Sequence, residues 1–338
     1  MNSQVTSLDV ARLAGVSQSA VSRVFSGASA SAATAQKVRR AAAELGYRPN
    51  PWARAMITGR SGIIGLVVAY FDNPFYPVAL ELLSRALKAE GYRILVFTVG
   101  NSPAEIESVM DELTAYRVDG IITASVAMTN DLTDRCAQAG IPIVLFNRGQ
   151  DGVGLSSVTS ANDAGARQVA RFLVAGGHQR IAHVAGWQQS STGRDRLLGF
   201  EAGLAEAGTA PVAVIDGLYD RDAARAATLA MMDTATPPDA IFVGNDHMAF
   251  AVMDTLRHEL GLSVPGDVSV VGFDDVPMAA WPAYDLTTVR QPVRRMVDST
   301  VETLVAQIAE PDRAPQSIRI DAALVLRGSA RCPEGWTE

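Results

Sequence analysis

Cysteine is scarce in this 338-residue chain: Cys136 and Cys332 stand far apart and outside any metal-ligand spacing, which excludes a disulfide framework and a cysteine-built zinc site. Both read as ordinary thiols. Histidine is scarce too, with only His178, His183, His247 and His258, and the chain holds no His-Glu-x-x-His pair. A Gly-x-Ser-x-Gly elbow, a lysine phosphate loop and a complete Gly-x-Gly-x-x-Gly are also missing. No metal, cofactor or catalytic centre is therefore expected. His247 beside Asp246 is the nearest thing to an acid/base pair, but neighbours on a strand-to-helix turn more often cap and pack. Long apolar runs are absent, since the longest, Ile63 to Phe71, is too short to cross a bilayer. The first residues show no cationic start followed by an apolar segment, so a cytoplasmic protein without a membrane partner is expected.

Charge is present but unevenly placed. Through residue 60 there are eight basic residues (Arg12, Arg23, Lys37, Arg39, Arg40, Arg48, Arg54, Arg60) against Asp9 and Glu44, a local balance of +6 that leaves −13 for the rest of a chain of net charge −7. A small cationic head can hold phosphates, whereas a large acidic body is repelled by them and must do something else. The chain is long enough for two or three domains with full-sized cores.

Residues 6 to 25 read as two short helices joined by a glycine turn, a helix-turn-helix that points to DNA. Thr6 can cap the first helix with Asp9 closing the box, Gly15 supplies the turn, and Ser17 caps the second helix. Val21 and Val24 face Val10, Ala11 and Ala14, while Gln18, Ser19, Ser22 and Arg23 occupy the opposite face. Small helical hairpins without a nucleic-acid role share this pattern, and the basic balance and a third helix decide against them. That helix begins near Ser31 to Thr34, repeats apolar residues at Val38, Ala41, Ala42 and Leu45, and stops at Gly46.

A linker follows. Tyr47-Arg48-Pro49-Asn50-Pro51 forces an extended path, and Trp52 to Ile57 offers only a turn or two of helix before the polar exit Thr58 to Gly62. So short a helix is unstable alone and is expected to order on DNA, with Arg54 at a phosphate and Met56 as an apolar wedge in the minor groove. The residues expected at DNA are thus Thr6, Ser17, Gln18, Ser19, Ser22, Arg23, Ser31 and Thr34 of the head, with Asn50, Ala53, Arg54 and Met56 of the hinge.

Beyond residue 62, β-rich runs alternate with helical stretches in two series. Ile63 to Tyr70, Arg93 to Val99, Gly120 to Ala124 and Ile141 to Phe146 form the first; Ile181 to Ala185, Val212 to Ile215, Ala240 to Val243 and Val268 to Phe273 form the second. Segments such as Ala223 to Met232 and Met248 to Leu260 read as intervening helices. Two doubly wound α/β lobes follow, with ligands expected at the carboxyl ends of strands and between the lobes. Polar residues gather at those ends: Phe71 to Tyr76, Asn147-Arg148, Arg194 and Arg196, Asn245-Asp246 and Asp274-Asp275. Each alone could be a turn or a cap, yet the set suits a polyhydroxyl ligand, whose hydroxyls both donate and accept.

Asp9 to Ser17, Val21-Ser22-Arg23-Val24, Glu44 to Asn50 and Ala53-Arg54 resemble the head and hinge of the lactose/galactose repressor (LacI/GalR) family of transcription regulators. The resemblance continues through Gly65 to Tyr76, Gly199-Phe200, Asn245-Asp246, Gly272 to Asp275 and Leu286 to Pro292, nearly the whole chain. It implies a helix-turn-helix head (1–48), a hinge (49–61) and a periplasmic-binding-protein-like body (62–338). Lobe one would span about 62–160 and 291–325 and lobe two about 161–290, with Thr287 to Pro292 returning the chain to the first lobe. It further implies a homodimeric repressor on palindromic double-stranded DNA, controlled by a small polar effector, with a sugar or sugar derivative favoured over a nucleobase.

Carried over residue by residue, the resemblance makes Arg196 and Asp274 direct effector contacts and Asn147 and Asn245 supporters. Phe75 and Tyr219 become wall residues, and Thr192 adds a hydroxyl. The chain departs from the family pattern at Met56, where leucine is usual, at Ala161-Asn162 and at Tyr284-Asp285. The competing readings are a solute-binding protein, which leaves the basic head unexplained, and an α/β enzyme, which lacks a motif.

Overall fold

The computed structural model describes residues 5–26, 29–48, 60–69, 71–99, 103–125, 133, 136, 138–150 and 154–336. Asn50, Ala53, Arg54 and Met56, with all of hinge residues 49–59, lie outside the described residues. Two compact units emerge, Met1–Gly62 with Arg117–Asp119, and Ile63–Tyr116 with Gly120–Glu338.

The first unit is helical for local reasons. Thr6 Oγ1 accepts from Asp9 N at 3.4 Å and Asp9 Oδ2 accepts from Thr6 N at 2.9 Å, a reciprocal box that starts α1 (Ser7–Ala14). Gly15, at φ +64°, ends it in the left-handed conformation that glycine adopts without strain. Ser17 Oγ accepts from Ala20 N at 3.2 Å at the start of α2 (Gln18–Ser26), and Ser31 Oγ from Thr34 N at 3.2 Å at the start of α3 (Ala32–Leu45). Val10, Ala11, Val21, Val38, Ala41 and Ala42 form the core where the three helices meet.

In the second unit the chain runs β1 (Ile63–Val68), α4 (Phe75–Ala89), β2 (Arg93–Thr98), α5 (Pro103–Ala115), β3 (Gly120–Ala124), β4 (Ile143–Phe146) and β5 (Ser156–Ser160). It crosses to a second lobe as α6 (Asn162–Ala175), β6 (Ile181–Ala185), α7 (Ser191–Ala205), β7 (Ala213–Asp216), α8 (Arg221–Met232) and β8 (Ala240–Val243). There follow α9 (Asp246–Asp254) with a π-helical extension Thr255–Glu259, then β9 (Ser269–Asp274) and β10 (Thr287–Arg290). The chain returns to the first lobe with α10 (Val293–Ala309) and β11 (Ser317–Ile320), and ends in β12 (Ala323–Val325). The sheet orders are β11-β5-β4-β3-β1-β2 and β12-β10-β9-β8-β6-β7. All pairings are parallel except β12 with β10. Central strands such as β3, β6 and β9 are buried at every residue because helices cover both faces, whereas the edge strand β2 has only exposed and half-buried residues.

Two details differ from the sequence expectation. β5, with sequence Ser-Ser-Val-Thr-Ser, has no apolar run, yet it is a buried interior strand. Thr287–Arg290 lies in the second lobe, paired with β9, as the bound at residue 290 implies, and the return is made at Gln291 and Pro292. β12 falls within the range expected for lobe one but pairs with β10 of lobe two, making a third crossing.

Helices α6 and α7 approach closely enough that a Cβ at Gly199 would lie 2.1 Å from the Asp163 carbonyl oxygen. Backbone cannot yield as a flexible side chain does, so Gly199→Ala is expected to cost about 1–3 kcal/mol through overpacking. Thermal unfolding monitored by circular dichroism checks this, and an unchanged melting temperature would show that the helices slide apart freely.

Candidate functional site

On the head, Ser17, Gln18, Ser19, Ser22 and Arg23 are all exposed. Gln18 Nε2 donates to Ser7 Oγ at 2.9 Å, bracing α2 against α1, and the Ser17 and Ser19 hydroxyls lie 2.9 Å apart. Among the described residues Arg23 has no carboxylate partner, which leaves its five donors on the open face of α2. Thr6 and Ser31 spend their side-chain oxygens on helix caps, and Thr34 is half-buried with its hydroxyl 2.8 Å from that of Ser31.

In the body, a narrow cleft opens at the carboxyl ends of both sheets, its empty space about 220 Å³ with the open solvent at its mouth included. From the first lobe it is lined by Asn73, Tyr76, Asn147 and Arg148; from the second by Thr192, Arg196, Tyr219, Asn245 and Asp274. Six of the seven residues expected at the effector therefore meet here. Strained backbone aims several of them inward: Asn147 (φ +67°), Tyr219 (φ +60°) and Asp274 (φ +132°) all adopt positive φ.

Arg196 and Asp274 form the centre, at 3% and 4% exposure. The guanidinium donates through Nε to Asn162 Oδ1 at 2.9 Å and through Nη1 to the Gly244 carbonyl. Its Nη2 lies 3.6 Å from Asp274 Oδ1, and its plane sits 3.7 Å from the Phe273 ring centroid. Asp274 also accepts from Gln291 Nε2 at 2.7 Å and, across the cleft, from Asn73 Nδ2 at 3.0 Å. Burial pushes the Asp274 carboxyl above its ordinary value, while Arg196 and the two amides pull it back.

Around this pair, Asn147 Nδ2 and Ser125 Oγ donate to Tyr76 Oη, and Asn147 Oδ1 is buried without a partner among the described residues. Arg148 donates to the Ser125 carbonyl at 2.8 Å and lies 5.6 Å from the Trp187 ring centroid and 5.9 Å from that of Tyr219. Tyr219 Oη donates to Thr192 Oγ1 at 3.0 Å. Asn245 accepts from Met248 N at 2.9 Å, which starts α9.

Phe75 departs from the expectation. Its ring is buried, stacked on Phe146 at 6.2 Å and edge-on to Tyr76 at 5.4 Å, and does not line the cleft. Successive helix residues point about 100° apart, so when α4 turns Tyr76 to the cleft it turns Phe75 to the core. Asn73, Tyr76 and Arg148 stood in the strand-end runs without being singled out. Asn162 and Gln291, which hold Arg196 and Asp274, stood within segments compared with the family but were given no role at the site.

His183 lies wholly buried in the second lobe. His183 stacks on Phe242 at 4.6 Å and hydrogen-bonds the Phe242 carbonyl at 2.9 Å, and burial drives its pKa down to about 4. Asp246 accepts from Val276 N at 2.9 Å and Thr288 Oγ1 at 2.5 Å. Burial, then the neighbouring Asp274 charge, push its pKa up to about 7. A carboxyl whose folded pKa is raised binds more protons folded than unfolded, so its contribution is fully present below the unfolded value near 4 and is lost as pH rises through about 7. Asp246→Asn, which stays neutral, should therefore lose less stability than the parent between pH 5 and about 8. Urea unfolding across that range checks this, and parallel pH profiles would contradict it.

Among the described residues no three His, Cys, Asp or Glu side chains converge as a metal site, and no helix is long and apolar enough to cross a membrane. Residues 6–50 match the family described as bacterial regulatory proteins, lacI family, and residues 170–330 match the periplasmic binding protein-like domain. The chain is 34% identical over 330 residues to the HTH-type transcriptional regulator CelR of Thermobifida fusca, covering 95% of this chain and 96% of CelR. The chain belongs to the LacI family. Another similar LacI-family protein is the HTH-type transcriptional repressor PurR of Photobacterium profundum, 29% identical over 327 residues, with 96% and 98% of the two chains covered. The Lac repressor dimer bound to operator and the anti-inducer ONPF superposes with a TM-score of 0.86 at 29% identity, over 97% of this chain and 99% of that one. A CelR–cellobiose complex superposes with a TM-score of 0.73 at 33% identity, over 96% and 100%. This LacI-family protein is a DNA-binding transcription regulator and not an enzyme.

Proposed function

We propose that this regulator is a cytoplasmic homodimeric repressor that binds a palindromic operator through paired α2 helices and takes a sugar-class effector in the cleft. The observation that carries the effector reading is the junction of both lobes at one buried polar group: Asp274 of the second lobe accepts from Asn73 of the first. A ligand that bonds to both sides changes the angle between the lobes, and any difference in its affinity for two lobe arrangements becomes a difference in operator affinity. Carboxylate, amide, hydroxyl and guanidinium groups beside the Tyr219 ring suit a polyhydroxyl ring better than an apolar molecule. The similarity to CelR in complex with cellobiose supports a disaccharide in particular.

Calorimetry with cellobiose, simpler sugars and nucleobases, paired with footprinting on the neighbouring promoter DNA, tests the reading. The expected result is a two-fold symmetric footprint whose occupancy changes on adding a sugar that binds. A single asymmetric half-site would overturn the dimer, and a nucleobase as the sole binder would overturn the sugar.

A further inference from the structure

Neighbouring strands β8, β6 and β7 each run into a glycine (Gly244, Gly186 and Gly217), and a Cβ at any of them would collide with a neighbour. At Gly244 the obstacle is Gly186 N at 2.7 Å, and at Gly217 it is Met248 Sδ at 2.7 Å. Gly186 differs, because what it meets belongs to the cleft itself. A Cβ there would lie 2.1 Å from Tyr219 Cζ, 2.3 Å from Cε1 and 2.5 Å from Oη. Near-equal distances to three bonded ring-edge atoms place that point over the face of the ring. Tyr219 is brought down onto the strand end by two consecutive left-handed residues, Leu218 (φ +55°) and Tyr219 (φ +60°), and is tied there by its bond to Thr192.

We propose that Gly186 is a positioning residue of the effector site: its bare backbone lets the Tyr219 ring lie against the end of β6 and so sets the depth of the cleft at its aromatic wall. Glycine at a strand end often marks such a close approach. A methyl group needs about 3.4 Å from the ring, so the ring must rise by more than an ångström or swing away, parting Oη from Thr192. The shape of the wall, and with it the fit of a ligand ring, then depends on a residue that offers no side chain. The inference rests on the effector reading of the cleft only for its consequence in binding; the ring placement stands apart from it.

The full chain labelled with 3-fluorotyrosine tests both parts. The Tyr219 fluorine resonance, identified by its loss in Tyr219→Phe, should shift in Gly186→Ala while those of the other six tyrosines stay in place. Cellobiose titrated by calorimetry should bind about tenfold more weakly to Gly186→Ala, as expected for a lost ring contact. In a Tyr219→Ala background the same substitution should change affinity less than about twofold, because the two act through one ring. An unmoved Tyr219 resonance, or an equal loss of affinity in both backgrounds, overturns the proposal. If Gly186→Ala alone unfolds, recovery of the parent melting temperature in the double variant supports it, and no recovery overturns it. Should cellobiose fail to bind the unaltered protein, the disaccharide reading falls and the fluorine shift alone decides the role of Gly186.

Discussion

Asp274→Asn is expected to abolish most of the effector response and to lower stability as well. Asp274 and Arg196 are both almost wholly buried, and the carboxylate is the sole anion within ion-pair distance of that guanidinium among the described residues. Neutralising one partner leaves a buried, uncompensated cation, a change that costs about 3–5 kcal/mol in comparable sites. The Asn162, Gly244 and Phe273 contacts of Arg196 persist and offset part of that loss. Effector binding should weaken by about 1.5–3 kcal/mol, the increment of one charged hydrogen bond. Replacing both residues with leucine should cost less than the sum of the single replacements, since no orphaned charge remains. Urea unfolding and calorimetry with the bound sugar measure the two effects separately. Parent-like stability and affinity in Asp274→Asn would mean that neither the ion pair nor the pocket works as described.

Arg23→Ala should have the largest effect on DNA. Its guanidinium stands on the open face of α2, the helix that a helix-turn-helix places in the major groove, where arginine pairs with guanine through two hydrogen bonds. Loss of that pair is expected to cost about 1–3 kcal/mol and to relax base preference at one position of each half-site. Arg85→Ala on α4, which removes an exposed arginine paired with Glu81, should leave operator affinity unchanged. Binding titrations at two salt concentrations separate base reading from phosphate attraction, because the latter falls steeply with salt. If Arg23→Ala binds operator and scrambled DNA with the parent's discrimination, α2 is not the reading helix.

Most of the head was legible because its determinants are local. Thr6 with Asp9, Gly15, Ser17, Ser31 and Gly46 act within a few residues of themselves, and the structure shows each at the helix end where its chemistry belongs. The central strands were legible for a related reason: a strand covered on both faces must be apolar throughout. Of the cleft, the residues carried by the family resemblance came together, apart from Phe75, whose neighbour Tyr76 takes the cleft-facing position. Pattern assigned the turn Asn73 to Tyr76 to the site; only the phase of α4 selected the residues that reach it.

By itself the sequence determined what short-range chemistry can specify: the caps, the apolar strands, the basic head on an acidic body and the two α/β series. Tertiary structure decided what depends on partners far along the chain. β5 is buried despite its hydroxyls because Ser156 accepts from Gln307 Nε2 at 2.9 Å and Gln316 N at 3.0 Å, and Ser160 donates to Gln291 at 2.7 Å. Each partner lies more than a hundred residues away, so no window of sequence could reveal that these polar groups would be satisfied. The same holds for Asn73 meeting Asp274 from 201 positions away, and for β12 closing the edge of the second sheet. A polar residue reads as surface until a distant donor or acceptor removes its need for water, and that pairing exists only once the chain has crossed between its lobes.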